Sequence, residues 1–294
     1  MAHKNSSNWS PYKARQTAKE QARKAPPGGA AVTPSKPAVR VRSHGGAGKH
    51  RKSVETFTFN EADDRMYDVF RNHDFGDYPH AKRQKLTEFY QLLMGNQNEN
   101  NFTRLLTIRD VAIKHFIDSL IITRLTTLTF PLIDMGTGPG FPGIPLKIHF
   151  PNEKIILAEG VQKRVEFLKD IREKLELQNL PIIGRNLNQE FFYPVQGVIT
   201  RAVEDARNTL GNVVNSLQTG GKVFLMKGPN CGPEIEMALE TWGEYFTLEN
   251  DIAYTLPKTP HERRLLIFRK LKPHPLPDFE ALDLAWEKEF GGGL

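Results

Sequence analysis

Between Asp134 and Gly143 the chain reads Asp-Met-Gly-Thr-Gly-Pro-Gly-Phe-Pro-Gly, which sets Gly136, Gly138 and Gly140 in alternation behind an acid. Alternating glycines let a backbone turn tightly and approach a ligand with no Cβ in the way. A second acid, Glu159, follows 25 residues after Asp134. An acid about 20 residues beyond a glycine loop can accept both hydroxyls of a ribose, because a vicinal diol offers two donors at carboxylate spacing. The chemistry these residues suit is recognition of a nucleoside.

The same stretch also spells GxGxxG at Gly138, Gly140 and Gly143, a weak sign of a dinucleotide site by itself. Prolines at 139, 142 and 145 remove N–H groups that a pyrophosphate would need. A cofactor without phosphate loses nothing by that. S-adenosylmethionine is one, and it asks for close backbone approach, a ribose acceptor and an apolar slot for adenine.

Several elements must hold these residues in place. Phe130-Pro-Leu-Ile-Asp-Met reads as a short buried strand running into the glycine turn, and a helix follows, the unit that presents backbone to a nucleotide. Pro142 and Pro145 suit the first helical turn. Lys154 to Glu159 reads as the second strand, and an amphipathic helix after Gly160 turns Val165, Leu168 and Ile171 inward. Strands are expected over Pro181–Gly184, Gly197–Arg201 and Lys222–Lys227. Tyr245–Leu248 and Arg264–Arg269 suggest an antiparallel hairpin at the sheet edge. Alternating strands and helices predict an α/β fold with a doubly wound sheet.

Helices are expected before the sheet. One covers Asn60 to Phe70, and another runs from Lys82 to Met94 with Leu86, Phe89, Tyr90 and Leu93 on one face. A third, Asp110 to Arg124, carries His115 and Asp118 three residues apart. The pair suits acid/base or metal chemistry, but on an apolar helix it reads as a packing and hydrogen-bonding element.

The chain has 294 residues and a formal charge of +6 that is unevenly spread. Residues 1–53 carry 12 Lys/Arg against the single acid Glu20, while the remainder carries 28 against 33. The first 53 residues also lack Leu, Ile and Phe altogether. Such a segment cannot offset its chain entropy by apolar burial, so a disordered basic tail is expected. It reads as an arm that touches nucleic acid through counterion release, as a solvated extension, or as an organellar leader. The lone Cys231 excludes a disulfide framework or a CxxC site. No apolar run long enough for a membrane helix occurs, and no metal-ligand constellation is apparent. The expected organisation is a tail over 1–53, a helical region over 54–125, the main domain over 126–272 and an extension over 273–294.

Six words in order carry a family resemblance: NFTRLLTIRD (101–110), KHFIDSL (114–120), LIDMGTGPGFPGIPLKI (132–148), QKRVEFL (162–168), TRAV (200–203) and KVFLMKG (222–228). The stretch from about Phe102 to Lys270 resembles the glucose-inhibited-division-B family, bacterial methyltransferases acting on N7 of a guanine in small-subunit (16S) ribosomal RNA. The resemblance implies a Rossmann-like, S-adenosylmethionine-dependent enzyme in the bacterial cytoplasm, or in an organelle if the tail is a leader. It implies a monomer whose partner is the ribosomal RNA or a pre-subunit particle. By position, the family's cofactor contacts fall on Gly136, Phe141, Asn186, Leu187 and Arg201, beside the Gly138, Gly140 and Glu159 read above. Candidate RNA contacts near strand ends are Lys163, Arg164, Arg185, Arg201, Lys227, Arg263 and Arg264, with the words around 163, 201 and 227 favouring those positions. Two departures stand out: Glu159-Gly160 replaces the family's common Asp-Ser, and Asn186-Leu187-Asn188 replaces a charged pattern. A methyltransferase with another substrate, and a catalytically silent RNA-binding or assembly factor, are the alternatives.

Overall fold

The computed structural model describes residue 55 and residues 57–275. The basic tail and most of the extension over 273–294 therefore lie outside the described residues.

The chain opens with α1 (Phe59–Asn72), started by a capping box in which Thr58 and Glu61 satisfy each other's backbone N–H groups. Next comes α2 (His80–Gly95), which buries Leu86, Phe89, Tyr90 and Leu93 on the face that the spacing predicts. The short α3 (Gln97–Asn100) fills part of the Asn-rich interruption. The helix expected over 110–124 is present but broken. It comprises α4 (Ile108–Val111), a π-helical segment (Ala112–Ile117), α5 (Asp118–Leu120) and α6 (Ile122–Leu125). A π segment widens the helix locally and recurs at functional sites. Here it carries His115.

The sheet then forms from β1 (Leu132–Met135), β2 (Ile155–Ala158), β3 (Ile182–Ile183), β4 (Val195–Arg201), β5 (Leu217–Lys227), β6 (Phe246–Thr255) and β7 (Glu262–Lys270). Their order across the sheet is β3-β2-β1-β4-β5-β7-β6. β1 to β5 are parallel, and β7 enters antiparallel between β5 and β6. This is a Rossmann-like sheet closed by the expected hairpin. β1 and β2 are buried along their whole length, as parallel strands covered on both faces must be.

Both faces carry helices. α7 (Gly143–His149) and α8 (Gln162–Lys174) join α1, α2 and the broken helix on one face, in an apolar core with Leu132, Leu157 and Phe224. α9 (Ala206–Val213) and α10 (Gly232–Trp242) cover the other, against Ile133, Val198 and Leu225. The helices before the sheet thus share a continuous core with it. That shared core brings residue 115 beside residue 201.

Candidate functional site

The glycine loop leaves β1 and is tied down by the acid that precedes it. Asp134 is fully buried, and its Oδ2 accepts the Thr137 hydroxyl at 2.5 Å and the Gly143 N–H at 2.7 Å. One oxygen therefore holds both ends of the loop. Burial pushes the Asp134 carboxyl up to about 7, more than those two hydrogen bonds lower it. The three alternating glycines all have left-handed φ values, which only glycine adopts freely, but they do different work. A Cβ on Gly136 would strike Val203 at 2.7 Å, and one on Gly140 would strike Ile144 at 2.5 Å. A Cβ on Gly138 would meet nothing within 4 Å. Gly136 and Gly140 are packing constraints, whereas Gly138 opens onto free space.

Glu159 closes this half of the site from the end of β2. Its Oε2 accepts the Gly138 N–H at 2.9 Å, and its Oε1 accepts the Val161 N–H at 2.8 Å. Arg164 stands 3.6 Å away in the first turn of α8. A carboxylate has about four acceptor sites, so capacity is left for two more donors. The two departures from the family pattern meet here: a Cβ on Gly160 would lie 2.3 Å from Asn186 Oδ1. The Asn186 amide occupies space that Gly160 leaves.

The other half of the site is built around Arg201, the last residue of β4. Its Nη1 donates to the Lys114 carbonyl at 3.0 Å and to Asp118 Oδ2 at 3.2 Å, while its Nη2 donates to His115 Nδ1 at 3.0 Å. The His115 ring stacks on Phe141 at 4.2 Å and 16°. The Arg201 guanidinium lies 5.4 Å from the same ring, within cation–π range. Burial first, and the Arg201 charge second, depress His115 to about 3, so the imidazole is neutral. Arg263 of β7 stands 3.4 Å from the second Asp118 oxygen, at ion-pair distance but without hydrogen-bond geometry. His115 and Asp118 are thus the hydrogen-bonding pair that the sequence suggests, with a partner more than 80 residues away in the chain.

These halves face each other across a cavity of about 450 Å³. The residues after β1 (Gly136 to Pro139, and Phe141), after β2 (Glu159, Val161, Arg164) and after β4 (Arg201 to Val203) line it, together with Phe102, Thr103, His115 and Asn186. It lies at the carboxyl ends of the parallel strands, where strand order reverses between β1 and β4, the place where open α/β sheets bind ligands. A more open groove of about 1070 Å³ runs along residues 172–181, at the far end of α8, and shares none of these residues.

The residues singled out from sequence are distributed unevenly. Gly136, Gly138, Phe141, Glu159, Asn186, Arg164 and Arg201 line the cavity. Gly140 faces inward against Ile144, and Leu187 is buried in the core beneath α9 and α10. Lys227 is turned into the protein, with its ammonium 2.7 Å from Glu234 and donating to the Glu204 carbonyl. Arg264 pairs with Asp251, while Lys163 and Arg185 stand exposed. Thr103, Val161 and Val203 escaped the sequence reading as site residues. Thr103 lies within the NFTRLLTIRD word and Val203 ends the TRAV word, but nothing in either word marks them as cavity walls, and Val161 lies outside the words.

A family model described as rRNA small subunit methyltransferase G (GidB) matches residues 82–261. The chain belongs to this family. It is 60% identical over 231 residues to the ribosomal RNA small subunit methyltransferase G 2 of Bdellovibrio bacteriovorus, covering 79% of this chain and 91% of that one. To the methyltransferase G of Carboxydothermus hydrogenoformans it is 34% identical, covering 66% of this chain and 86% of that one. Among solved structures it is similar to a methyltransferase from Pyrococcus furiosus, with TM-score 0.45 and 14% identity over 64% of this chain and 98% of that chain. The family match spans the glycine loop, Glu159, Arg201 and every strand of the sheet except β7.

Proposed function

We propose that this chain transfers the methyl group of S-adenosylmethionine to N7 of a guanine in small-subunit (16S) ribosomal RNA, in the bacterial cytoplasm. Within a chain of this family, one observation carries the reading. The cavity at the β1/β4 switch point has a glycine with open space at its missing Cβ (Gly138) and a buried carboxylate with acceptor capacity left (Glu159). Those are the needs of a phosphate-free nucleoside cofactor. Gly136, Gly138, Phe141, Glu159, Asn186 and Arg201 hold it, with Glu159 accepting the ribose hydroxyls. When bound, the cofactor supplies an electrophilic methyl group on a sulfonium.

Guanine N7 has a lone pair and no proton, so attack requires no general base. The titratable groups on the cavity wall fit this: His115 Nδ1 already accepts from Arg201, and the acceptor capacity that Glu159 keeps beyond two backbone N–H groups serves the ribose hydroxyls. Catalysis then reduces to in-line positioning and to electrostatics that tolerate a positive charge moving from sulfur to base. Arg201 positions the reactants from the end of β4. Lys163 and Arg164 on α8, with Arg185, form the exposed cationic approach for RNA phosphates. The inward-turned Lys227 serves the fold instead.

The test is small-subunit RNA carrying 7-deazaguanine, which keeps the Watson–Crick face and has carbon in place of N7. Loss of methylation on that RNA, with robust methylation of the normal RNA, is expected. Continued transfer would mean that another atom is the acceptor. No heat of binding on titration with S-adenosylmethionine would instead leave a silent RNA-binding factor.

A further inference from the structure

Arg201 is held by a chain of hydrogen bonds whose direction can be worked out from the donors. Arginine has no acceptor and no neutral form in proteins, so the Nη2–His115 contact fixes Nδ1 of the imidazole as the acceptor. The ring proton must then sit on Nε2, which lies 2.9 Å from the Thr103 hydroxyl. That hydroxyl oxygen also accepts the Leu105 N–H at 3.1 Å. The Thr103 hydroxyl oxygen thus accepts from both the Leu105 N–H and His115 Nε2–H, and His115 Nδ1 accepts from the guanidinium. The outer edge is fixed separately by Asp118 and the Lys114 carbonyl. Phe141 packs against one face of the imidazole.

We propose that His115 is a positioning residue for methyl transfer: held as the Nε2–H tautomer by Thr103, it aims the Arg201 guanidinium across the cavity wall. The inference rests on the proposed activity, since Arg201 matters only if it faces the reactants. His115 makes no proton transfer and carries no charge. Its contribution is the direction of one arginine. Asp118 is unsuited to test this, because removing one partner of a buried ion pair leaves the other charge uncompensated and endangers the fold. His115 can be changed with less risk.

Two substitutions separate aiming from packing. An asparagine places an amide oxygen near Nδ1 and can still accept from Arg201, but it cannot reach Thr103. A glutamine reaches toward Thr103 and fills more of the space, but it loses the acceptor at Nδ1. His115→Asn is expected to keep kcat within about threefold of wild type, and His115→Gln to lose about tenfold or more. Both should bind S-adenosylmethionine within about threefold of wild type. His115→Ala should lower kcat about tenfold alone and by less than twofold in an Arg201→Lys background, because its effect passes through that guanidinium. A glutamine variant as active as the asparagine one, or equal losses from His115→Ala in both backgrounds, would overturn the proposal. Should wild type methylate no RNA, the proposed activity fails first. The aiming is then read by NMR from the Arg201 guanidinium nitrogens, whose hindered rotation should persist in His115→Asn and be lost in His115→Gln. Equal rotation in the two variants would overturn it.

Discussion

The two walls of the cavity are built by opposite strategies. The β1–β2 wall is mainly backbone: Gly136 to Pro139, held by the Glu159 carboxylate through the Gly138 N–H, all within a span of 24 residues. The β4 wall is side chain: Arg201, whose orientation depends on Lys114, His115 and Asp118, 83 to 87 residues earlier. A local backbone wall needs few partners, and atoms added to it either strike the packing behind it, as at Gly136, or take up open space, as at Gly138. A nonlocal wall tolerates small changes of shape and fails when one partner stops matching another. The first wall should therefore govern cofactor affinity and the second turnover.

The largest effect should come from filling the backbone wall. Gly138→Val is expected to weaken S-adenosylmethionine binding at least 100-fold by calorimetry, since Gly138 lines the cavity and an added side chain there meets no protein atom that would hold it back. Its cost to the fold should be only about 1–2 kcal/mol, for a left-handed φ outside glycine. Gly140→Ala inverts the pattern. There the added methyl meets Ile144, Leu168 and Phe89, so thermal melting should fall by an amount equivalent to about 2–4 kcal/mol, overpacking adding to the backbone cost. A Gly138→Val protein with wild-type affinity would remove the glycine loop from the cofactor site.

A smaller effect is expected at Glu159. Glu159→Gln keeps one acceptor for Gly138 or Val161 and exchanges the other for donors, so affinity should drop about tenfold with kcat little changed. By contrast, Arg201→Ala should lower kcat far more than affinity. Equal falls in both parameters for both variants would erase the division between the walls.

Smaller still is the pH signature of Asp134. Its folded value, about 7, is raised above the ordinary carboxyl value of 3.8, so the folded protein binds the extra proton. Its contribution to stability is fully present below about pH 4 and is lost as pH rises through 7. Asp134→Asn keeps an oxygen for Thr137 and Gly143 and has nothing to ionise. Denaturant titrations at pH 5 and pH 8 should show wild type losing at least about 1 kcal/mol more than the variant across that interval. Parallel behaviour of the two would mean that Asp134 is ionised throughout.

The mildest change should follow deletion of residues 1–53. Cofactor affinity should stay as it is, while RNA binding weakens and its dependence on salt flattens, because up to 12 cationic side chains no longer release counterions. An unchanged salt slope would reduce the segment to a spacer or leader.

Most of the fold was legible because its signals are local. The buried runs Leu132–Met135 and Ile155–Ala158 need both faces covered, and Leu86, Phe89, Tyr90 and Leu93 need one. The break in the helix over 108–125 was not legible, since a π segment leaves no mark in residue type or spacing. In the site, Asp134, Gly136, Gly138 and Glu159 announce themselves by interval along the chain. Gly140 carries the same sequence signal as Gly138 and does a different job, because the direction of a missing Cβ depends on what packs beside it.

By itself the sequence determined the α/β alternation, the glycine turn with its two acids and the family, since each is written in neighbouring residues or in short words at fixed intervals. Only the tertiary structure decided that His115 and Asp118 serve Arg201 and that Lys227 turns inward to Glu234. It alone paired Gly160 with Asn186. A charge, a ring or a missing Cβ acts through what lies within a few ångströms. For residues dozens of positions apart, that neighbourhood exists only after helices and sheet have closed on one core.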